Sequence, residues 1–336
     1  ETILADVAVA VNPKDERFAH LVGKSCTIPI SGREIPIIAD EAVLLDFGTG
    51  ALKITPAHDP TDFEIGERHW LPKLSCLDEQ GKLNELGGVY QGLDRFVVRK
   101  QIVKDLEEKG LLVNVFPHEN NVGHCYRCHS VLEPYLSDQW FMSMKRLAEP
   151  GIKAVHGGEI RFIPERYNKV YLNWMENIRD WCISRQIWWG HRIPVWTCQA
   201  CAHRDAYTED PGVCPQCGSA DYRQDEDVLD TWFSSGLWPM NVFGWPDQSA
   251  DLKFFYPTSV LVTARDIIYL WVARMIMLGY EFMGEKPFGD VLIHATIMTK
   301  DGQRMSKSKG TGIDPLDLID QYGADGTRFA LMLQAT

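Results

Sequence analysis

The fold class is indicated most clearly by residues 259–310, which read SVLVTARDIIYLWVARMIMLGYEFMGEKPFGDVLIHATIMTKDGQRMSKSKG. It opens with a β-rich run at Ser259–Thr263 and continues into an apolar segment at Asp266–Tyr280, for which we predict a helix. A second β-rich run at Asp290–His294 leads into a polar loop at Thr299–Gly310. Strand, helix, strand and loop in this order predict an α/β fold, specifically the second half of a doubly wound parallel sheet.

The sequence before this stretch changes character several times. Residues 1–115 have a mixed α/β pattern, with a helix predicted at Arg95–Lys109. Gly110 stands at the position just after this helix, where helices often end in a residue of left-handed conformation. The strongly aromatic segment Tyr167–Trp189 also predicts a helix. Short β-rich runs broken by Pro and Gly lie at Asp6–Val11, Cys26–Ile30 and Ile35–Ala39.

These changes predict four regions. We expect a first mixed α/β domain at 1–115, a connecting segment at 116–165, a second α/β domain at 166–310 with a Cys/Gly/Pro-rich insert at 196–222, and the start of a helical region at 311–336.

The composition is that of an ordinary globular protein. The chain has 336 residues, of which 45% are hydrophobic and 24% charged, and no apolar run approaches the ~18 residues of a membrane span. The net charge of −12 argues against a protein that coats nucleic acid nonspecifically, although a local basic face remains compatible with a specific RNA. One basic segment is formed by Lys300, Arg304, Lys307 and Lys309.

Six of the nine cysteines fall in C-x-x-C pairs, at Cys125/Cys128, Cys198/Cys201 and Cys214/Cys217. Because the chain shows no secretory signal, this pattern indicates metal binding in a reducing compartment, and we expect a cytoplasmic protein.

The last two pairs have the spacing of a zinc ribbon. We predict that Cys198, Cys201, Cys214 and Cys217 bind one structural Zn²⁺, since four thiolates leave no position for a substrate. The pair Cys125/Cys128 has no second pair to complete it, so we interpret it as a possible half-site, with free structural thiols as the alternative.

Residues 304–308 read RMSKS. On a loop after a parallel strand, Lys307 and the hydroxyls of Ser306 and Ser308 can bring mobile positive charge to a polyphosphate. Negative charge builds on phosphate oxygens during nucleotidyl transfer, and ammonium groups stabilise it. Alone, a five-residue pattern leaves a solvated basic loop equally open.

The longer segment Asp301–Gly310 resembles the KMSKS loop of the class I aminoacyl-tRNA synthetases. The resemblance implies an α/β Rossmann-like catalytic domain in which Lys307 contacts the phosphates of ATP. Arg304 stands where that motif usually has its first Lys, which keeps the charge but changes its geometry.

The same resemblance implies further ATP contacts. Asp266 matches a ribose-side acid, and His294 belongs to the family's His-Gly motif. Ala264 and Ala295 depart from the family, which usually has Gly at both positions, and we expect a methyl group there to crowd the nucleotide or shift the backbone.

The segments Asp230–Ser235 and Trp271–Met275 resemble the amino-acid pocket of the valine, isoleucine and leucine enzymes. The resemblance implies that Trp232, Ile267 and Trp271 line this pocket. Ile267 and Trp271 lie four residues apart and share a face if the segment is helical. Apolar walls suit a small aliphatic side chain, which can be selected only by shape; the alternative is ordinary core packing.

The sequence GTGALKITPAHDPTDF, residues 48–63, resembles the editing pocket of the valine branch of this family. The resemblance implies substrate recognition by Lys53, His58, Asp59 and Asp62, with Asp62 binding the α-ammonium group of a misattached amino acid. Taken alone, these residues are also typical of a surface turn.

Taken together, the resemblance covers nearly the whole chain and implies ATP-dependent ligation of valine to tRNA(Val), with Mg²⁺-bound ATP as substrate and hydrolytic editing of threonine. The basic and aromatic segment Trp181–Pro194 either faces the tRNA acceptor end or packs in the core. No His-x-Gly-His motif occurs, so we expect an internal segment of a longer enzyme that does not activate valine alone.

Three alternatives remain open at this point. In the first, the chain is part of an isoleucine enzyme. In the second, it is a free-standing aminoacyl-tRNA deacylase, and in the third, a noncatalytic zinc-bearing RNA-binding module. The pattern from His58 to Asp62 and the form of Asp230–Ser235 favour valine over isoleucine. The RMSKS loop and the pocket Trp residues argue against a deacylase without synthesis, and a noncatalytic module would not need Lys53 and Asp62.

Overall fold

The computed structural model describes residues 1–117, 119–125, 128–303, 305 and 310–333. The chain divides into two compact units, Glu1–Asp138 and Gln139–Thr336. The boundary between them falls inside the connecting segment expected at 116–165.

A four-stranded sheet forms the centre of the first unit. Its strands are β1 (Ala8–Val11), β2 (Ser25–Thr27), β3 (Glu34–Ala39) and β4 (Ala51–Ile54), in the order β2-β3-β1-β4. β1 runs parallel to β3 and antiparallel to β4. Each of the three predicted β-rich runs overlaps one of β1, β2 and β3.

The described part of this unit also contains two α-helices, α1 (Pro60–Arg68) and α2 (Arg95–Glu108), and three short 3-10 helices at Thr2–Ala5, Ala19–Leu21 and Glu85–Tyr90. α1 begins where it does because the Asp59 carboxylate accepts hydrogen bonds from two amides of the first turn and proline occupies the first helical position. Its buried Ile65 joins the core formed with β1 and β4. α2 confirms the predicted helix, and Gly110 adopts the left-handed conformation just after it, with φ +67°.

The second unit contains more elements. In chain order these are β5 (Phe141–Met142), α3 (Lys145–His156), β6 (Arg161–Ile163), α4 (Arg166–Glu176), β7 (Trp181–Cys182), β8 (Ser184–Arg185), β9 (Val195–Cys198), β10 (Arg204–Ala206), β11 (Tyr222–Gln224), β12 (Val228–Leu229), α5 (Thr231–Gly236), α6 (Trp238–Asn241), α7 (Ala250–Phe255), β13 (Thr258–Ala264), α8 (Ala273–Met283), β14 (Phe288–His294), α9 (Pro315–Tyr322) and α10 (Ala324–Leu333).

A parallel sheet with the order β13-β14-β6 lies at the centre of the second unit. α8 connects β13 to β14, so the predicted strand-helix-strand order is confirmed. α3, α4 and α8 pack together and bury apolar side chains such as Phe162, Tyr171, Ile276 and Val291. Burial of this apolar surface is the main stabilising contribution to such a sheet-and-helix layer.

The helix predicted at Tyr167–Trp189 is wrong beyond Glu176. The chain leaves the helix there and forms two short strands, β7 paired with β5 and β8 paired with β12. Trp181 and Ser184 are buried by this arrangement, whereas Trp188 and Trp189 are almost fully exposed. The aromatic density therefore reflects two different environments, and hydrogen bonds to distant residues override the local pattern.

The helix predicted at Asp266–Tyr280 is present, but it does not begin as an α-helix. The segment Arg265–Ile267 is a 3-10 turn, Ile268–Val272 is a π turn, and regular α-helix starts only at Ala273. Ile267 therefore ends the 3-10 turn and Trp271 lies in the π turn, so the pair is not on an α-helix, and their sharing of one face stays a prediction. Among the described residues, no helix is long and apolar enough to cross a membrane.

Gly151 allows the close packing of the three central helices. A methyl group added at this position of α3 would lie 2.6 Å from the Tyr171 hydroxyl and 2.9 Å from a methyl group of Ile276. We expect Gly151→Ala to destabilise the chain by about 1–3 kcal/mol, the usual range for overpacking, reduced by the higher helix propensity of Ala.

The matched control is Gly326→Ala in α10, where the added methyl group meets no atom closer than 3.8 Å. Thermal unfolding of both variants measures the difference. A Gly151→Ala variant as stable as Gly326→Ala would contradict the packing described for α3.

Candidate functional site

The carboxyl ends of β13 and β14 meet at Ala264 and His294, which are partners across the parallel strands. Ligands of open parallel sheets bind at this edge. His294 is exposed, and its Nδ1 lies 2.9 Å from the Ala295 carbonyl oxygen, a contact that requires a proton on Nδ1. Asp266 is exposed in the turn that follows β13. The structure therefore brings the two described residues of the predicted ATP site to one edge of the sheet.

Ala264 has extended backbone angles, with φ −88° and ψ 152°. Any L-residue adopts this conformation, so the position does not need the left-handed freedom of glycine. The departure from the family pattern at Ala264 therefore adds a methyl group without requiring a different backbone conformation. The predicted phosphate-binding residues Arg304, Ser306, Lys307 and Ser308 lie outside the described residues.

Aromatic side chains meet where α5 packs against the π turn and α8. The Trp271 indole N–H donates a hydrogen bond of 2.9 Å to the Ser235 carbonyl oxygen, and the Trp238 ring lies 5.8 Å from the Trp271 ring, centroid to centroid. Trp232 is partly buried against the same core. Ile267 is half-buried at the end of the 3-10 turn. The predicted pocket residues thus lie on neighbouring elements.

The Asp230 carboxylate holds this arrangement together, and sequence reasoning gave it no role of its own. It is buried and accepts hydrogen bonds from the Trp181 indole, the Arg185 guanidinium and the Trp232 amide, the last of which caps α5. Charge-assisted hydrogen bonds of this kind are stronger than neutral ones. A signal was present in the sequence, because Asp precedes the Thr-Trp-Phe run as an N-cap residue would.

Arg274 lies next to this carboxylate in the fold. Its guanidinium sits 3.8 Å from the centroid of the Trp181 ring, and its Nε and Nη1 atoms are buried without a hydrogen-bond partner among the described residues. Burial lowers the pKa of Arg274 to about 10, against the opposing effect of the Asp230 charge. The side chain stays cationic at neutral pH and is stabilised by the aromatic face.

A cleft of about 370 Å³ opens beside the first turn of α5. The exposed rings of Trp188 and Trp189 line one part of it, and Thr231 and Ser234 line another. Part of the segment 181–194 therefore packs in the core and part faces this cleft.

The four ribbon cysteines converge at one point. Their sulfur atoms all lie within 4.8 Å of one another, at the ends of a small antiparallel sheet with the order β10-β9-β11. The Cys198 amide donates to the His203 carbonyl and the Cys214 amide to the Ser219 carbonyl, each at 2.8 Å. The two pairs thus form equivalent turns, as in zinc knuckles.

The protonation of these thiols is uneven. Burial opposes ionisation of Cys214, but the backbone N–H groups of Cys217 and Gln216 outweigh it and lower the pKa of the Cys214 thiol to about 6. Amide donors aimed at sulfur favour thiolate, the form that binds metal. At Cys201 the His203 backbone acts in the same direction, but hydrogen bonds with the other three thiols raise the pKa instead. The convergence of the four sulfur atoms is therefore what fits a tetrahedral metal site.

Cys125 begins a turn of the same kind. Its amide donates to the Ser130 carbonyl and the His129 amide to the Cys125 carbonyl, both at 2.8 Å, and His129 has a positive φ of 60°. The hydroxyl and amide of Ser130 lower the pKa of Cys128 to about 7. Among the described residues, no third ligand group lies close enough to complete a site around this pair.

In the first unit, the structure brings Lys53 and Asp62 together. The Lys53 ammonium and the Thr55 amide both donate to Oδ2 of Asp62, each at 2.8 Å. Asp62 is buried, whereas the Lys53 side chain is 49% exposed. A buried carboxylate thus faces an accessible cation at the end of β4.

The other two predicted editing residues have structural contacts of their own. Asp59 caps α1 through the amides of Thr61 and Asp62, each within 2.9 Å of Oδ1. His58 accepts a hydrogen bond from the Cys76 amide at Nε2, which leaves Nδ1 to donate towards the Pro134 carbonyl 3.4 Å away. Burial lowers the pKa of His58, which favours the neutral ring.

Comparison with known proteins agrees with this architecture. The model of the family "tRNA synthetases class I (I, L, M and V)" matches residues 1–210 and 199–336. The valine–tRNA ligase of Thermotoga maritima is 59% identical over 335 residues, which is 100% of this chain and 39% of that protein. The valine–tRNA ligase of Clostridium perfringens is 59% identical over 332 residues, 99% of this chain and 38% of that protein.

The chain therefore spans about two fifths of the length of these relatives. The crystal structure of the Agrobacterium radiobacter K84 agnB2 LeuRS-tRNA-LeuAMS ternary complex matches with a TM-score of 0.42 and 18% identity, covering 100% of this chain and 42% of that chain. So distant a likeness supports no inference about individual residues. Because the family model matches along the whole length, the chain belongs to the class I tRNA synthetases of the isoleucine, leucine, methionine and valine group.

Proposed function

We propose that this chain carries the second half of the catalytic domain and the editing region of a valine–tRNA ligase. In this proposal the full-length enzyme joins valine to tRNA(Val) with ATP and Mg²⁺ and hydrolyses mischarged threonyl-tRNA. The observation that carries the proposal is the 56–59% identity to valine–tRNA ligases over nearly all of the chain. The alternatives are an isoleucine enzyme and a free-standing deacylase, and the experiments below discriminate against both.

The synthetic pocket would select valine by shape. Trp232, Ile267 and Trp271 supply apolar walls, and the buried Asp230 fixes Trp232 at the start of α5. His294 and Asp266 would bind ATP at the edge of the parallel sheet. Arg304, Ser306, Lys307 and Ser308 would bring charge and hydroxyl groups to the phosphates, where negative charge develops in the transition state.

Lys307 is the residue of that loop whose role is most readily tested. In a full-length ligase carrying this chain, we expect Lys307→Ala to remove about 2–4 kcal/mol of transition-state stabilisation, the range typical for one lost electrostatic donor. Valine-dependent ATP–pyrophosphate exchange measures this loss.

Lys300→Ala, in the same basic segment, is the matched control and should leave the exchange rate near that of the unmodified enzyme. Equal rates for Lys307→Ala and Lys300→Ala would refute the assignment of Lys307 to the phosphates.

We propose that the ribbon holds one structural Zn²⁺ on Cys198, Cys201, Cys214 and Cys217. Since all four ligands come from protein, the metal would supply folding stability and no open position for chemistry. The pair Cys125/Cys128 would be half of a second site, whose other thiolates belong to a different segment of a full-length ligase.

Metal analysis of the purified chain should find about one zinc per chain. We expect Cys201→Ser to lose this zinc and to lower the unfolding temperature, because an incomplete ligand set no longer stabilises the ribbon. Cys125→Ser and Cys26→Ser are the controls and should keep the full equivalent.

Two results would overturn this account. Unchanged zinc in Cys201→Ser would show that the ribbon is not the site, and a full equivalent lost in Cys125→Ser would show that this pair is not a half-site.

Editing follows from the chemistry of valine recognition. Threonine and valine are nearly isosteric, so an apolar pocket rejects threonine by only ~10². A second, hydrolytic site is needed to reach higher accuracy. We propose that Asp62 binds the α-ammonium group of the threonyl ester and that Lys53 provides polar support, with water as the nucleophile. His58 and Asp59 would shape the same site through the contacts described above.

In a full-length ligase carrying this chain, we expect Asp62→Ala to let threonyl-tRNA accumulate while valine charging stays near normal, because the ammonium group loses its counter-charge. Glu67→Ala is the control, since Glu67 lies on the same helix with an exposed side chain. Accumulation is followed with labelled threonine.

The editing assignment fails if Asp62→Ala hydrolyses threonyl-tRNA as fast as Glu67→Ala does. In that case the isoleucine or noncatalytic alternatives regain support.

A further inference from the structure

A second buried carboxylate lies next to the Lys53–Asp62 pair. Asp6 is 3% exposed, and its Oδ1 accepts a hydrogen bond of 2.6 Å from the hydroxyl of Thr55, which is fully buried. The amide of the same Thr55 donates to Asp62. One residue therefore connects two carboxylates, through its side chain on one side and its backbone on the other.

Strand pairing creates this connection. Ala8 pairs with Ile54 across the antiparallel strands β1 and β4, and the Val7 amide donates to the Ile54 carbonyl at 2.9 Å. Asp6 lies just before β1 and Thr55 just after β4. Residues 49 positions apart are thus fixed side by side at the end of the sheet where Lys53 and Asp62 meet.

The backbone around Asp6 is also fixed. The Arg33 guanidinium donates to the Leu4 and Asp6 carbonyl oxygens at 2.9 and 2.6 Å. The backbone at Asp6 therefore cannot shift away from Thr55 without breaking these hydrogen bonds from Arg33.

The charged groups around Asp6 do not fully offset the unfavourable effect of burial on its ionised carboxylate. Burial, helped by the negative charge of Asp62, raises the pKa of Asp6 to about 6, although the Thr55 hydroxyl, Lys53 and Arg33 act in the opposite direction. The charge of Asp6 also contributes to the raised pKa of the Cys26 and Cys76 thiols, for which burial is the largest cause. Carboxylates kept in unfavourable surroundings are enriched at functional sites.

We propose that Asp6 is a positioning residue for the editing reaction. It fixes the Thr55 hydroxyl, and this holds the Thr55 amide in the place where it binds the Asp62 carboxylate beside Lys53. The inference rests on the proposed editing function and adds to it a residue that does not touch the substrate.

The test measures threonyl-tRNA hydrolysis by a full-length ligase carrying this chain. Asp6→Ala should lower kcat on the order of tenfold, the effect of losing one buried hydrogen bond, with little change in KM and normal valine charging. Asp6→Asn keeps an oxygen acceptor for Thr55 and should restore the rate to within about threefold of the unmodified enzyme.

A double-mutant cycle separates positioning from general destabilisation. Thr55→Val removes the hydroxyl and should lower the rate as Asp6→Ala does, and the double variant should lose no more than either alone. Asp40→Asn is the matched control, because Asp40 is a buried carboxylate of the same unit that bonds to Arg68 and His69. It should leave hydrolysis unchanged.

Independent losses in the double variant, no rescue by Asp6→Asn, or an equal loss in Asp40→Asn would overturn the inference. Its failure is distinguishable from failure of the proposed function. If Asp62→Ala abolishes hydrolysis and Asp6→Ala does not, only the role of Asp6 is wrong. If Asp62→Ala hydrolyses threonyl-tRNA normally, the editing site itself is misassigned.

Discussion

The second unit depends on the hydrogen bonds that the buried Asp230 carboxylate accepts. This carboxylate joins the aromatic segment at Trp181, the cation of Arg185 and the first turn of α5, and it lies close enough to Arg274 to favour that cation. Removing one partner from a buried charged network leaves the others uncompensated, which is usually more destabilising than the loss of one bond. The wall of the proposed amino-acid pocket is therefore held by electrostatics as well as by packing.

The first unit also contains a buried carboxylate that is held by hydrogen bonds, here at the proposed editing site. Asp62 is buried and bonded to Lys53 and Thr55, and Asp6 bonds to the same Thr55. In both proposed sites a buried carboxylate therefore fixes its neighbours, and in the editing site that carboxylate, Asp62, is also the proposed ligand of the ammonium group. This division suits a ligase that selects valine by shape in one place and tests for a hydroxyl group in another.

The sequence predicted what local patterns control. The strand-helix-strand order at 258–294, the helix ending before Gly110 and the convergence of four cysteines all depend on periodicity, turn chemistry or spacing. It failed where distant contacts decide, as at Trp181, whose indole bonds to Asp230. It also did not predict the π turn before α8. The partnership of Asp6 with Thr55 was invisible as well, because strand register alone creates it.

The most direct test of the whole account is the fate of ATP in a full-length ligase carrying this chain. With tRNA(Val) and threonine present, activation followed by hydrolysis should convert ATP to AMP continuously while threonyl-tRNA stays scarce. Valine should give stable valyl-tRNA, with about one ATP consumed per valyl-tRNA formed. Isoleucine should give neither stable isoleucyl-tRNA nor continuous AMP formation. Stable charging of the tRNA with isoleucine would contradict the account, and so would the absence of AMP formation in the presence of threonine.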